Sequence, residues 1–143
     1  LFFLITILYF SCKNELTTTV KHYKSHEKSR ANVPFSDAVQ VDNLYFLTGQ
    51  IGKNHKIGKL VEGGIEAETK QALLNIEAVL KHHNLTLNEV VKCTVILSNI
   101  DDFSKMNTIY RSFFTDNLPA RTTFAANLVG NAKVEIEVIA VRK

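Results

Sequence analysis

Residues 117–143 read NLPARTTFAANLVGNAKVEIEVIAVRK, and this stretch decides how the rest of the chain is understood. Pro119 cannot continue a helix, so whatever precedes it stops there. Residues 120–127 then read as a strand with Arg121 at its mouth. Gly130-Asn131 reads as a turn, and residues 133–141 return as a second strand carrying Glu135 and Glu137 among apolar residues. A guanidinium and carboxylates on sheet positions fit core packing poorly, because an unpaired buried charge costs several kcal/mol. Two readings stay open. The charges form a small site that grips a carboxylate and handles a proton, or Arg121 pairs with Glu135 or Glu137, which share a face by alternation.

Working outward, Asp101 opens a helix whose residues Phe103, Met106, Tyr110 and Phe113 form one stripe, with Ile109 and Phe114 beside it. The stripe reads as core rather than as a cofactor box. Residues 90–97, VVKCTVIL, are nearly all apolar or β-branched and read as a buried strand, with Cys93 as a structural thiol. Residues 66–83 form an amphipathic helix. Thr69, Ala72, Leu73, Ile76, Val79 and Leu80 face the core; Glu68, Gln71, Asn75 and Lys81 face away. Acids at its start and His82-His83 at its end suit the helix dipole, and Asn84 supplies the stop. Before it, five glycines between 49 and 64 mark a loop with Lys53, Lys56 and Lys59, at spacings that match no phosphate-binding pattern. Residues 38–41 and 44–48 read as two strands joined at Asp42-Asn43.

The resulting order is strand, strand, helix, strand, helix, strand, strand. Both helices have one apolar face and so should cover one side of a mixed sheet. Val91, Val95 and Leu97 on alternate positions are expected to face the other side and to pack against another subunit.

The chain has 143 residues, 45% hydrophobic and 22% charged, which suits one self-sufficient domain. Of 17 Lys and Arg and 14 Asp and Glu, residues 1–33 hold five and two, leaving twelve of each sign in the remainder. A neutral domain gives no support for nucleic-acid binding, which needs a clustered basic face. The first ten residues, LFFLITILYF, are too few to span a bilayer, which takes ~20. They fit the apolar region of a secretory signal. The junction Ser11-Cys12-Lys13 resembles a bacterial lipoprotein signal, implying cleavage before Cys12, acylation of that residue, and a membrane-anchored, periplasmic or cell-envelope location. Residues 1–12 are therefore expected to be a signal segment, 13–32 a polar linker and 33–143 the domain. His22 and His26 have helical spacing for a metal but no third ligand, and no zinc or disulfide pattern is present.

From about Val33 to Lys143 the chain resembles the RidA/YjgF family of enamine and imine deaminases. The matching segments are PFSDAVQ, FLTGQIG, GGIEAETKQALLNIEAVL, VVKCTVILSNIDDFSKMN, NLPARTTF and KVEIEVIAVRK, in the family's order. The resemblance implies an α+β, chorismate-mutase-like fold, a homotrimer with a central barrel, and sites in the clefts between subunits. It implies hydrolysis of 2-imino acids, such as 2-iminopropanoate and 2-iminobutanoate, to 2-oxo acids and ammonia, with no cofactor and no metal. Arg121 matches the arginine that holds the substrate carboxylate, and Glu135 the acid that positions water. Gly49 matches a glycine whose backbone holds substrate, and Asn107 a site-proximal asparagine. Phe35 stands where the family usually has Tyr, Thr123 where many members have Cys, and Val33 where Gly usually precedes the Pro. The connection from Arg121 to Glu135 is one residue shorter than usual. The alternatives are a non-catalytic trimer binding small carboxylates, or a chaperone-like interaction protein. Most members of the family are cytoplasmic.

Overall fold

The computed structural model describes residues 17–143. Cys12 and the expected signal segment lie outside the described residues. The chain runs β1 (Val20–Tyr23), β2 (Ala38–Val41), β3 (Leu44–Leu47), β4 (Gln50–Ile51), β5 (Lys53–Asn54), β6 (Lys59–Leu60), α1 (Gly64–His82), β7 (Val90–Leu97), α2 (Phe103–Phe113), β8 (Ala120–Ala125) and β9 (Val134–Val141). One mixed sheet has the order β1-β2-β3-β9-β7-β8, with β4 also pairing to β9. The β7–β8 pair is parallel and spans α2; the other pairs of this sheet are antiparallel.

Both helices lie on one face of the sheet. α1 buries Ile65, Ala72, Leu73, Ile76, Val79 and Leu80 against Val134, Ile136, Val138 and Ala140 of β9 and Cys93, Val95 and Leu97 of β7. Each large side chain so buried contributes about 1.5–3 kcal/mol. The helix ends as its sequence suggests. Asn84 takes φ 55°, its amide donates to Lys81 O, and the Leu85 amide donates to Leu80 O. This is a Schellman stop, with Leu80 and Leu85 both buried in the core.

Three expectations need correction. The linker assigned to 13–32 contains strand β1, which pairs with β2, and a turn ending at buried Arg30. An edge strand made of Val, Lys, His and Tyr shows little alternation in its sequence, so it reads as polar coil. Secondly, Glu68 and Asn75 do not face away from α1; both are buried. Glu68 accepts the Lys133 amide at 2.8 Å, and Asn75 Nδ2 donates to Ile51 O and Lys53 O at 3.2 and 2.9 Å. Glu68 holds the residue that leads into β9, and Asn75 clamps the β4–β5 segment across the helix. Gly52 permits it, since a Cβ there would lie 2.5 Å from the Glu68 Cα.

The third correction concerns the uncovered face. Val95 and Leu97 point under the helices and are fully buried, whereas Val91 is 46% exposed. A bulge between Val90 and Lys92 puts Val91 out of phase with the rest of β7. The face opposite the helices instead carries Val39, Phe46, Ile96, Phe124, Ile139 and Val141, by their pairings across the sheet. Phe46 and Phe124 are 41% and 45% exposed. An apolar sheet face of this extent remains uncovered.

Candidate active site

Arg121 lies on β8 opposite Cys93, so its side chain emerges on the helix-covered face at the edge of the sheet. There α2 provides a bed. The guanidinium sits 4.6 Å from the Tyr110 ring centroid and 5.6 Å from that of Phe103, and Nη1 donates to Asn107 Oδ1 at 2.8 Å. Part of the aromatic stripe read as core therefore serves as a platform for a cation. Among the described residues no carboxylate pairs with Arg121. It lines a cavity of about 330 Å³ with Asn107, Tyr110, Arg111, Phe114, Leu118 and Pro119. Thr123, two residues along the same face, has a buried Oγ1 without a partner. Beneath, burial pushes the Cys93 thiol up to about 11, which keeps it protonated and inert.

Glu135 lies on the other face. It pairs with Ile96 on one side and Ile51 on the other. Its carboxylate packs directly against Gly49, where an added Cβ would overlap Oε1 and lie 2.9 Å from Cδ. A cavity of about 550 Å³ opens here, lined by Phe35, Gly49, Gln50, Glu135, Val129 and others. Phe35 is 46% exposed at this cavity. Gly49→Ala is expected to push Glu135 off this wall. Turnover should then fall at least tenfold with thermal unfolding little changed, as initial rates and a melting curve on one preparation would reveal.

The structure thus gathers the six candidate residues into two triples. Arg121, Asn107 and Thr123 form one; Glu135, Gly49 and Phe35 form the other. From the pairings of Cys93 with Arg121 and Ile96 with Glu135, the two backbones lie two strands and three residues apart, about 14 Å at ordinary strand spacing. Their side chains leave opposite faces. Within one protomer Arg121 cannot pair with Glu135 or Glu137, and one small molecule cannot touch both Arg121 and Glu135.

Sequence reading missed a cluster on the wall of the Glu135 cavity. Arg30, only 8% exposed, puts Nη2 2.8 Å from Oδ1 of buried Asp37, an ion pair without good hydrogen-bond angles at that oxygen. Its Nη1 donates to Gln50 Oε1 at 2.7 Å and lies 3.1 Å from His55 Nε2. Removing one member of such a buried pair typically costs about 3–5 kcal/mol. The only hint in the sequence was an arginine three residues before an apolar segment, in a stretch otherwise polar.

The family model described as Endoribonuclease L-PSP matches residues 26–142. The crystal structure of the YjgF gene product of E. coli superposes with a TM-score of 0.79 at 31% identity, covering 86% of this chain and 99% of that one. The chain belongs to the RidA/YjgF family. A mouse relative named 2-iminobutanoate/2-iminopropanoate deaminase is 40% identical over 129 residues, 89% of this chain and 96% of that protein. The structure of E. coli TdcF with bound serine also superposes, with a TM-score of 0.78 at 26% identity, covering 86% of this chain and 99% of that one. The mixed sheet with two helices on one face is the RidA/YjgF fold. The matched region begins at residue 26, within the segment read as a linker, and takes in Arg30, while β1 lies ahead of it.

Proposed function

We propose that the protein is an enamine/imine deaminase that hydrolyses 2-imino acids to 2-oxo acids and ammonia, in sites built from two copies of the chain. One observation carries this reading. Among the described residues, each protomer presents an arginine without a carboxylate partner on one face, and a cavity with a glutamate on the opposite face, neither sufficient alone. A closed ring of copies joins the first half of one protomer to the second half of the next. The uncovered apolar sheet face supplies the surface for such a ring, and a homotrimer is the assembly we assign. The mouse relative's name supports the reaction. The serine bound in TdcF supports the ligand class, because serine and a 2-imino acid share a carboxylate next to a nitrogen-bearing carbon.

The chemistry follows from these positions. Arg121 binds the substrate carboxylate through its planar fork, held flat on Tyr110 and oriented by Asn107. This fixes the adjacent C=N carbon. An enamine first takes a proton on carbon to become the imine. Water, oriented by Glu135 of the neighbouring copy, adds to that carbon, and its proton passes to the carboxylate. The carboxylate returns that proton to the imine nitrogen, which completes the carbinolamine. The hydroxyl proton then follows the same route to nitrogen as the C–N bond breaks, so that ammonia leaves and the C=O of the 2-oxo acid forms. A guanidinium fixed by Asn107 and Tyr110 suits a small anion better than a phosphodiester chain, which needs a basic track. No cofactor enters this scheme.

The test generates 2-iminobutanoate or 2-iminopropanoate in situ with an amino-acid oxidase and follows keto-acid release. Acceleration over buffer is expected; none on any 2-imino acid would leave a non-catalytic binding protein. We further propose that Cys12 is acylated and tethers the domain to a membrane. Labelling with a radioactive fatty acid should mark the wild type and not Cys12→Ser; label absent from both would remove the anchor.

A further inference from the structure

The Arg30 cluster is not used by the chemistry above, yet it forms the wall beside Glu135. The segment after β1 delivers it: Ser29 Oγ donates to His55 O at 2.9 Å, and Arg30 follows with its contacts to Asp37, Gln50 and His55. A guanidinium has only donors. Two contacts compete for His55 Nε2: Arg30 Nη1 at 3.1 Å needs a lone pair there, and Gln50 Oε1 at 3.3 Å needs a proton. The Arg30 contact is the shorter, and Gln50 Oε1 is already taken by Arg30 Nη1 at 2.7 Å, so the geometry favours the lone pair. The ring proton is then on Nδ1, and His55 is neutral. The surroundings agree: burial first and then the Arg30 charge lower the pKa of His55 from 6.5, Lys53 adds to this, and Glu27 and Asp37 act in the opposite sense. Arg30 Nε and Gln50 Nε2 are buried without partners, so the cluster has few contacts to spare.

We propose that Arg30 and His55 are a positioning pair for the reaction at Glu135, closed only while His55 is neutral and accepts a hydrogen bond from Arg30. A proton on Nε2 turns the acceptor into a donor and sets two cations face to face. The turn carrying His55 then parts from Arg30, which loses one of its three side-chain holds. Two routes lead from there to the site. Arg30 lies 5.8 Å from the ring centroid of Phe35, on the cavity lining. Gln50, bonded to Arg30, directly follows Gly49, whose bare backbone is the surface on which Glu135 rests. His55 is thus linked to the catalytic carboxylate through Arg30, Gln50 and the single peptide that joins Gln50 to Gly49. As pH falls through a value below 6.5 the pair opens, and as pH rises it closes.

The kinetic consequence rests on the deaminase reading; the state of the ring does not. Nitrogen-15 spectra of the histidine-labelled full chain should therefore show the Nδ1–H tautomer at His55. Its titration should fall below 6.5 in the wild type and move up in Arg30→Met. On 2-iminobutanoate, after subtraction of the buffer rate, kcat/KM of the wild type should drop several-fold from about pH 8 to pH 5. His55→Gln, whose amide oxygen accepts the same bond at every pH, should flatten that decline. Arg30→Met should raise KM more than it lowers kcat, and Arg30→Lys should recover part of the loss. An Nε2–H tautomer, or acid limbs that superpose for wild type and His55→Gln, would overturn the proposal. If no 2-imino acid is turned over, the deaminase reading fails and the tautomer and titration alone decide the pair.

Discussion

Replacing Arg121 by alanine is expected to remove at least a hundredfold of kcat/KM on 2-iminobutanoate while leaving the fold and the assembly in place. The magnitude follows from the bonds lost. Charge-assisted hydrogen bonds contribute about 1.5–3 kcal/mol each, and a forked pair makes two, or roughly 10²–10⁴ in rate. The fold should survive because the side chain is half-buried at the sheet edge. Its hydrogen bond is to Asn107, and its remaining contacts are the faces of Tyr110 and Phe103. Arg121→Lys keeps the charge but loses the planar fork, so it should recover only a fraction of the activity. Rates beside a sedimentation profile of each variant separate lost chemistry from lost assembly. A fully active Arg121→Ala protein would show that the carboxylate is held elsewhere.

The second large effect is at Glu135. Glu135→Gln preserves size and polarity but cannot take the proton of the attacking water. A positioned acid–base group contributes about 10²–10⁴ in rate, and the loss should fall on kcat with KM nearly unchanged. An increase in KM with kcat intact would instead make Glu135 a binding residue. These contrasting patterns distinguish a group that holds substrate from one that acts on water.

How far the fold was legible depends on which residues are considered. Residues 90–97 emerge as β7 with the expected limits, because a long β-branched run has few other outcomes. Asn84 stops α1 as expected, since few residue types other than Gly and Asn take positive φ readily. The bulge at Val90/Lys92 was not legible. It depends on how β9 pairs with β7 and leaves no local mark, so Val95 and Leu97 were placed on the wrong face. Glu68 and Asn75 look solvent-facing by helical spacing and are buried because the chain folds back across α1. The helix periodicity contains no information about that return.

The site was legible in part for the same reason. Arg121 and Glu135 are conspicuous as charges on sheet positions, and the family resemblance pointed to Gly49, Asn107, Phe35 and Thr123. That these separate into two triples on opposite faces follows only from strand register. Arg30, Gln50 and His55 were missed because they are brought together over 25 residues by the docking of β1 and the turn after it. Nothing in their spacing marks them as partners.

The shared site is tested most directly by mixing. Arg121→Ala and Glu135→Ala protomers, each inactive alone, are co-expressed in equal amounts so that they assemble at random. If each site takes its arginine from one copy and its glutamate from the next, about one interface in four combines both intact halves, and about a quarter of wild-type activity returns. A mixture as inactive as its two parents would contradict a site shared between copies.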